Sequence, residues 1–357
     1  MSLAILTIWS QAAAIDKTLQ VASRDLPALR KKRVKPIPYS RSKMFARMRR
    51  GEVSLFSDLQ VTVERRPADD LRETLVKGIR RGFPPSRTAR IKKGQSSRRC
   101  RMKVPEMIRS WERGRAILSV TDLHFRKTKF DKLVDTSSLS DFNILSEDPE
   151  FGAHFREMIE MMTLVVSSAG NLTDNHADDC DGTNHCFVGR KLWLAWDRME
   201  GESAGFQDVD RDAVFDQAAF DTQKFLSLPS GRWFTVEPGQ TLFLPGNLAH
   251  KVITLEHYLG VGSFHVALPS YLRCLERWIL HDTHDIVPSD LLRKVHRAVL
   301  RKLGEIRSSR PSISQQWGVA EMKLAVANWR RSGNDARKKE LLNNALFAEF
   351  ITKSANV

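Results

Sequence analysis

Two Pro-Gly turns divide one stretch of the chain into short strands and thereby restrict what it can fold into. Between Val236 and Leu255 the turns fall at Pro238-Gly239 and Pro245-Gly246, and the residues from Gln240 to Leu244 alternate as a strand does. The strand after the second turn is opened by His250. Because side chains alternate between the two faces of a strand, such a sheet presents every second residue to one face.

A second segment, from Thr173 to Asp178, contributes a His-x-Asp pair that complements the distant His250. Two imidazoles and one carboxylate leave three coordination positions open, which is what non-haem Fe(II) oxygenases need because cosubstrate and O2 both bind the metal. A histidine at the start of a strand is also held precisely. The sequence therefore predicts a mononuclear iron site formed by His176, Asp178 and His250.

These residues resemble the JmjC family of 2-oxoglutarate-dependent oxygenases, over a region from about Trp111 to Trp278. The motifs that carry the resemblance are the run Thr173-Asp174-Asn175-His176-Ala177-Asp178, then Gly182-Thr183, then Gly189-Arg190-Lys191 before the apolar strand Leu192 to Trp196, then the run from Pro238 to Pro245, and finally Phe264-His265 and Tyr271-Leu272-Arg273.

The resemblance implies a double-stranded β-helix core of the cupin or jelly-roll type, with Fe(II) held by His176, Asp178 and His250. It also implies that Thr173 and Lys191 bind the far carboxylate of the cosubstrate 2-oxoglutarate, and that O2 takes the remaining position on the iron. Elementary electrostatics agrees, since a lysine inside an apolar barrel needs an anion and a dicarboxylate supplies one.

Within this family the leading expectation is a histone or other protein lysine demethylase that hydroxylates the N-methyl group. The alternatives are a protein or RNA hydroxylase, and a catalytically silent JmjC-like scaffold tethered to nucleic acid. Three departures weigh against demethylation. No tyrosine lies between Thr183 and Lys191, and the chain has only 3 tyrosines from which to build a cage for a methylated ammonium. Ser263 also stands where demethylases often carry asparagine.

Simpler interpretations exist for each site residue. The acidic stretch from Asp174 to Asp181 would be a solvated loop, His250 would be satisfied by the backbone at a strand edge, and Lys191 would extend its ammonium to water. Cys180, Cys186 and His185 lie nearby without the spacing of a zinc site. With 4 cysteines and no signal peptide or membrane span in the sequence, we expect a reduced intracellular protein.

Charge is concentrated at one end of the chain. Residues 1–115 contain 29 Lys and Arg against 10 Asp and Glu, whereas the remainder contains 28 against 32. The basic runs Arg30 to Lys35 and Arg90 to Lys103 predict nuclear import signals, hence a nuclear location, or patches that contact nucleic acid through its phosphates without reading sequence. The alternative is a solvated tail with no partner.

The predicted fold class is mixed α/β in three parts. Residues 1–105 form a basic, partly disordered region in which one helix, Leu71 to Ile79, lies between flexible arms; residues 106–275 form the JmjC-like domain; residues 276–357 form a helical bundle. The bundle, with helices from Ser289, Trp317 and Asp335, would pack on the barrel or form a homo-oligomer.

Overall fold

A computed structural model of the protein describes residues 2–94, 99–114, 116–148, 162–206, 220–280, 289–309, 311–333 and 335–356. In this part of the chain, no helix is long and apolar enough to cross a membrane.

The described residues form both strands and helices. The strands are β1 (Ser54–Phe56), β2 (Thr62–Val63), β3 (Thr88–Lys93), β4 (Arg99–Lys103), β5 (Leu118–His124), β6 (Val134–Asp135), β7 (Thr163–Ser167), β8 (Leu172–Ala177), β9 (Asp181–Val188), β10 (Lys191–Asp197), β11 (Arg232–Val236), β12 (Thr241–Leu244), β13 (Leu248–Thr254) and β14 (Tyr258–His265). The helices are α1 (Ser2–Ile15), α2 (Leu26–Lys32), α3 (Arg41–Arg50), α4 (Leu71–Gly82), α5 (Val104–Arg113), α6 (Ser137–Ser140), α7 (Ile144–Glu147), α8 (Arg198–Ser203), α9 (Thr222–Ser227), α10 (Leu268–Leu280), α11 (Ser289–Arg307), α12 (Pro311–Gln316), α13 (Val319–Arg331), α14 (Asp335–Asn343) and α15 (Ala345–Ser354), with a 3-10 turn at Ser23–Asp25.

Two antiparallel sheets organise the molecule. The larger has eight strands in the order β1-β12-β9-β14-β7-β5-β3-β4, and the smaller has four in the order β11-β10-β13-β8. A separate short ribbon pairs β2 with β6. The mixed α/β class predicted from the sequence is therefore confirmed.

An apolar core lies between the two sheets, because one buried cluster takes residues from both. Its members from the large sheet include Leu242 and Tyr258, and those from the small sheet include Trp193, Phe234 and Val252. Register explains the grouping: Trp193 lies directly opposite both Phe234 and Val252, and cross-strand partners project to the same face.

Helices cover the outer faces of both sheets. Against the small sheet, α1 and α2 bury Trp9 and Leu29 beside Trp233, whose indole Nε1 donates a 2.7 Å hydrogen bond to the Leu29 carbonyl. Against the large sheet, α4 and α5 bury an apolar stripe that includes Ile79 and Trp111. The small sheet is thus covered on one face by helices and on the other by the core, which explains its continuous burial.

The N-terminal region differs from its prediction. The helix expected over Leu71 to Ile79 is present as α4, and its N-cap Asp70 accepts a hydrogen bond from the Glu73 amide at 2.8 Å. The flanking segments, which were expected to be flexible arms, contain helices α1 to α3 and strands β1 to β4 where the structure describes them. Strands β1, β3 and β4 lie before the predicted boundary at residue 106 and yet belong to the large sheet. The apolar residues among the cations explain this, since they pack in the same clusters as the sheets.

After β14 the described chain is helical. Helices α10, α11, α13 and α15 share one buried cluster that includes Tyr271, Val299 and Phe350. The Tyr271 hydroxyl and the His296 Nδ1 atom are 2.9 Å apart within it. Sequence periodicity predicts these helices because their apolar residues recur at helical spacing.

Candidate metal centre

The three predicted ligands come together where β8 pairs with β13. His176 and His250 are direct partners across this antiparallel pair, and Asp178 follows the end of β8 by one residue. The register shifts between His250 and Val252, so that two residues of β8 stand against one of β13. Thr173, opposite Val252, and His176, opposite His250, therefore project to the same face although they are three residues apart.

The ligand atoms of His176, Asp178 and His250 all lie within 4.8 Å of one another. The His250 Nε2 atom is 3.7 Å from Asp178 Oδ2, and the two imidazole ring centroids are 4.1 Å apart. A first-row metal ion takes nitrogen and oxygen ligands at about 2.0–2.2 Å, so modest inward movement would complete its coordination. This group could hold a metal ion.

Hydrogen bonds to the backbone fix the orientation of both imidazoles. His176 Nδ1 lies 2.7 Å from the Asp174 carbonyl oxygen, and His250 Nδ1 lies 2.9 Å from that of Leu248. A carbonyl can only accept, so each Nδ1 must carry the proton and each Nε2 keeps its lone pair free. The two backbone carbonyls thus fix the tautomer that a metal-binding histidine needs.

Stacked rings and burial keep His250 neutral. The Trp193 ring lies 5.4 Å from the His250 ring at 26°, and Phe234 stacks in turn on Trp193 at 6.3 Å. Burial, with a smaller effect of His176, lowers the pKa of His250 to about 4, while Asp178 opposes this shift. The imidazole is therefore uncharged at neutral pH and available to a cation.

Lys191 lies on the same inner face, farther along the sheet. It stands opposite Thr254 in β13 and Val236 in β11, with 5% of its surface exposed, so it does not extend to water. Its ammonium is 4.4 Å from the Tyr258 ring centroid, and no carboxylate among the described residues forms an ion pair with it. Burial lowers the pKa of Lys191 to about 8, and Cys186 opposes the shift slightly. A buried cation without a counter-ion is the state that an anionic ligand would relieve.

Other polar groups share the interior. The Tyr258 hydroxyl donates a hydrogen bond to Asn184 Oδ1, and the hydroxyls of Ser167 and Thr254 are 3.0 Å apart. The indole Nε1 of Trp193 is buried without a hydrogen-bond partner in the part of the chain that the structure describes. The interior between the sheets thus combines packed apolar side chains with a few polar groups.

A buried ion cluster behind the metal centre was missed by sequence reasoning. The Lys251 ammonium lies 2.8 Å from Asp16 Oδ2 and 2.9 Å from Asp174 Oδ1, and at most 4% of each of these residues is exposed. Lys251 follows His250 directly, and the Asp174 carbonyl accepts the His176 hydrogen bond. The cluster therefore attaches the chain after α1 to both strands that carry the histidines. The sequence shows Lys251 within an apolar strand, but no sequence pattern connects this lysine with Asp16.

A second anchor holds the turn before β13. Arg273 pairs with Asp181, and Arg273 Nη1 donates a 2.9 Å hydrogen bond to the Gly246 carbonyl, while the Gly246 amide donates to Asp181 Oδ1 at 2.8 Å. The next residue, Asn247, donates its amide to the Asp178 carbonyl. The acidic stretch around Asp178 is thus tied into the structure rather than forming a solvated loop.

The neighbouring His185 and cysteines stay outside the metal centre. His185 Nδ1 lies 2.8 Å from the Thr241 hydroxyl, and burial lowers the pKa of His185 to about 4. Cys180 and Cys186 are free thiols, as are Cys100 and Cys274. Among the described residues, the only group of metal-ligand type found is the predicted triad.

No protein-family model matches the chain, and no curated protein is significantly similar to it. The assignment of the site therefore depends on the geometry of its own residues.

Replacing Lys251 by methionine should lower the free energy of unfolding by about 3–5 kcal/mol, because two buried carboxylates would be left without their cation. Urea denaturation of the whole protein measures this. Lys77→Met provides the control, since Lys77 pairs with Glu73 at the surface of α4 and should cost under about 0.5 kcal/mol. Equal losses of unfolding free energy in the two variants would show that the buried cluster contributes no more to stability than a surface ion pair.

Proposed function

We propose that this protein is an Fe(II)- and 2-oxoglutarate-dependent oxygenase of the JmjC type. The observation that carries the proposal is the convergence of His176, Asp178 and His250, with both Nε2 lone pairs available, on the same inner face as the uncompensated cation of Lys191. A two-histidine, one-carboxylate set with open positions is typical of non-haem Fe(II) oxygenases.

The strand order supports a double-stranded β-helix as the core. Of the eight strands from β7 to β14, β7, β9, β12 and β14 are neighbours in the large sheet, in the order β12-β9-β14-β7. The other four form the small sheet in the order β11-β10-β13-β8. Strands that pass back and forth between two packed antiparallel sheets are the pattern of a jelly roll.

The residues present fit both iron and the cosubstrate. His176, Asp178 and His250 would hold Fe(II), and Lys191 would bind the far carboxylate of 2-oxoglutarate with a hydrogen bond from Thr173. When bound, iron, 2-oxoglutarate and O2 together supply the oxidising chemistry. The protein's own contribution is to fix the imidazoles through their Nδ1 hydrogen bonds and to exclude water with Trp193 and its neighbours.

Lysine demethylation, the leading expectation from the sequence, remains one candidate subclass. The positions of the tyrosines favour side-chain hydroxylation as the second candidate. Tyr258 is buried under Lys191, Tyr271 is buried beside His296, and Tyr39 packs on Phe56. Because these are the 3 tyrosines of the chain, a tyrosine cage for a methylated ammonium has no members left.

Anaerobic titration with Fe(II) and 2-oxoglutarate tests the proposed centre without a substrate. We expect a weak visible metal-to-ligand charge-transfer band for the unchanged protein and none for Asp178→Ala. Lys191→Ala should raise the 2-oxoglutarate concentration at half-saturation at least about tenfold, because the variant has no ammonium to pair with the far carboxylate.

His257→Gln is the matched control, because this histidine packs on Trp111 and contacts none of the three proposed ligands. Its band and half-saturation should stay within about twofold of the unchanged protein. Folded protein that shows no band when supplied with iron would contradict the proposal and favour a catalytically silent scaffold.

The affinity for 2-oxoglutarate should depend on pH through Lys191. Burial lowers the pKa of this lysine from 10.5 to about 8, so it is mostly charged at pH 7, half-charged near pH 8 and mostly neutral at pH 9. The dissociation constant should then rise as the pH passes 8, by up to about tenfold per pH unit. Calorimetric titration with Mn(II) in place of Fe(II), from pH 7 to 9, measures this.

Lys191→Arg is the control for the pH series, because a guanidinium stays charged throughout. Whatever the size of its dissociation constant, this variant should lack the rise above pH 8. If the dissociation constants of the unchanged protein and of Lys191→Arg rise in parallel with pH, the pH dependence would belong to the metal ion instead.

The reaction subclass can be separated with histone-tail peptides in methylated and unmethylated forms. If the protein is a hydroxylase, succinate release should differ by less than about twofold between the two forms, because no tyrosine cage would bind the methylated form more tightly. A product would gain the mass of one oxygen atom. Formaldehyde released from the methylated peptides alone would decide for demethylation, and His176→Ala should abolish either product.

A further inference from the structure

The hairpin of β3 and β4 carries a row of cations on one face. In its register Arg90 lies opposite Arg101, Lys92 opposite Arg99, and Thr88 opposite Lys103. The stretch from Phe83 to Pro105 contains 8 Lys and Arg and no Asp or Glu. Two of the three cross-strand pairs therefore place like charges side by side. Lys92, however, is half-buried and donates a 2.6 Å hydrogen bond to the Leu172 carbonyl, so the charge that faces solvent comes from the other cations of the hairpin.

The two faces of the hairpin differ completely. Ala89 and Ile91 are buried in the apolar cluster under α4 and α5, whereas Arg90, Arg101 and Lys103 are exposed. In the described ranges, none of these three cations forms an ion pair with a carboxylate. One face holds the hairpin on the molecule and the other presents uncompensated positive charge to solvent.

The opposed cations should lower the stability of the hairpin, so the stability of the fold does not explain their presence. Like charges directly opposite each other destabilise a strand pair. Cations on β4, the edge strand, can protect the sheet from pairing with another chain. Arg90 lies on β3, which is not the edge strand: β3 pairs with β4 along the hairpin and with β5 at Lys92 and Lys93.

Two residues of the other basic run of the N-terminal region make contacts with the small sheet and its neighbours. Lys32 is buried and donates a hydrogen bond to the Leu228 carbonyl, and the Arg33 guanidinium lies 5.4 Å from the centre of the Trp233 ring. These contacts dock α2 on the small sheet. Lys31 and Lys35 of this run are exposed, but they do not lie on a strand pair that sets cations opposite cations, as the β3–β4 hairpin does.

We propose that the cationic face of the β3–β4 hairpin binds the phosphate backbone of duplex DNA. A closely spaced row of cations matches a polyanion of regular charge, and binding would relieve the repulsion between opposed arginines. The stretch from Pro84 to Pro105 contains no aromatic residue on which the bases of a single strand could stack, which favours a duplex. Contacts to phosphates position the duplex without reading its sequence.

The test is fluorescence anisotropy of the full-length protein with a labelled DNA duplex over a range of salt concentrations. For the double variant Arg90→Gln, Arg101→Gln, affinity near 0.1 M salt should fall about tenfold to a hundredfold. The slope of log affinity against log salt should shrink by about 2, because each removed arginine would otherwise neutralise one phosphate. The thermal midpoint should stay or rise, because a repulsive pair is removed.

Lys323→Gln, Lys339→Gln is the matched control, since it removes the same charge from exposed positions on α13 and α14. Its DNA affinity should stay within about twofold of the unchanged protein. An equal fall in affinity in both double variants, or no fall in the hairpin variant, would overturn the proposal. Tighter binding of an RNA duplex or of a poly-glutamate peptide than of DNA would also overturn it. The measurement needs no iron, so its outcome is independent of the proposed oxygenase activity.

Discussion

The pairing of β8 with β13 is the constraint on which the candidate metal centre depends. It sets His176 directly against His250, and the extra residue of β8 at the bulge returns Thr173 to the same face. Without that bulge, two residues three apart on one strand would project to opposite faces. Backbone carbonyls from the same two strands then fix the imidazoles, so one ladder supplies the ligands, their spacing and their tautomers.

Two buried lysines on neighbouring strands, Lys251 and Lys191, differ in whether a carboxylate neutralises their charge. Lys251 projects to the outer side of the small sheet and is neutralised by Asp16 and Asp174. Lys191 projects to the inner side, where its ammonium lies over the face of Tyr258 and forms no ion pair with a carboxylate of the described residues. The first arrangement is complete in the free protein, whereas the second becomes favourable when an anion enters. This contrast is why Lys191 is better explained by a ligand than by stability.

The sequence predicted the local parts of the molecule better than its long-range contacts. The Pro-Gly turns and the His-x-Asp pair lie within short segments, and they led to the strands and to the triad that the structure brings together. In the N-terminal region the many cations suggested flexible arms, whereas its described part forms helices and strands. What fixes its course is the packing of Trp9 and Leu29 on a sheet formed far along the chain, and no local pattern reveals that. The bulge in β8 and the partners of Lys251 were hidden for the same reason.

The cluster of Asp16, Asp174 and Lys251 also has a consequence for the order of folding. Its members are widely separated in the chain, and the first is synthesised long before the other two. The contact that attaches the end of α1 to the sheet therefore cannot form until β13 has been synthesised and paired. Closing so long a loop is slow because the chain entropy is lost before the contact is gained. The apolar residues of α1, Trp9 among them, therefore reach their buried positions only late in synthesis.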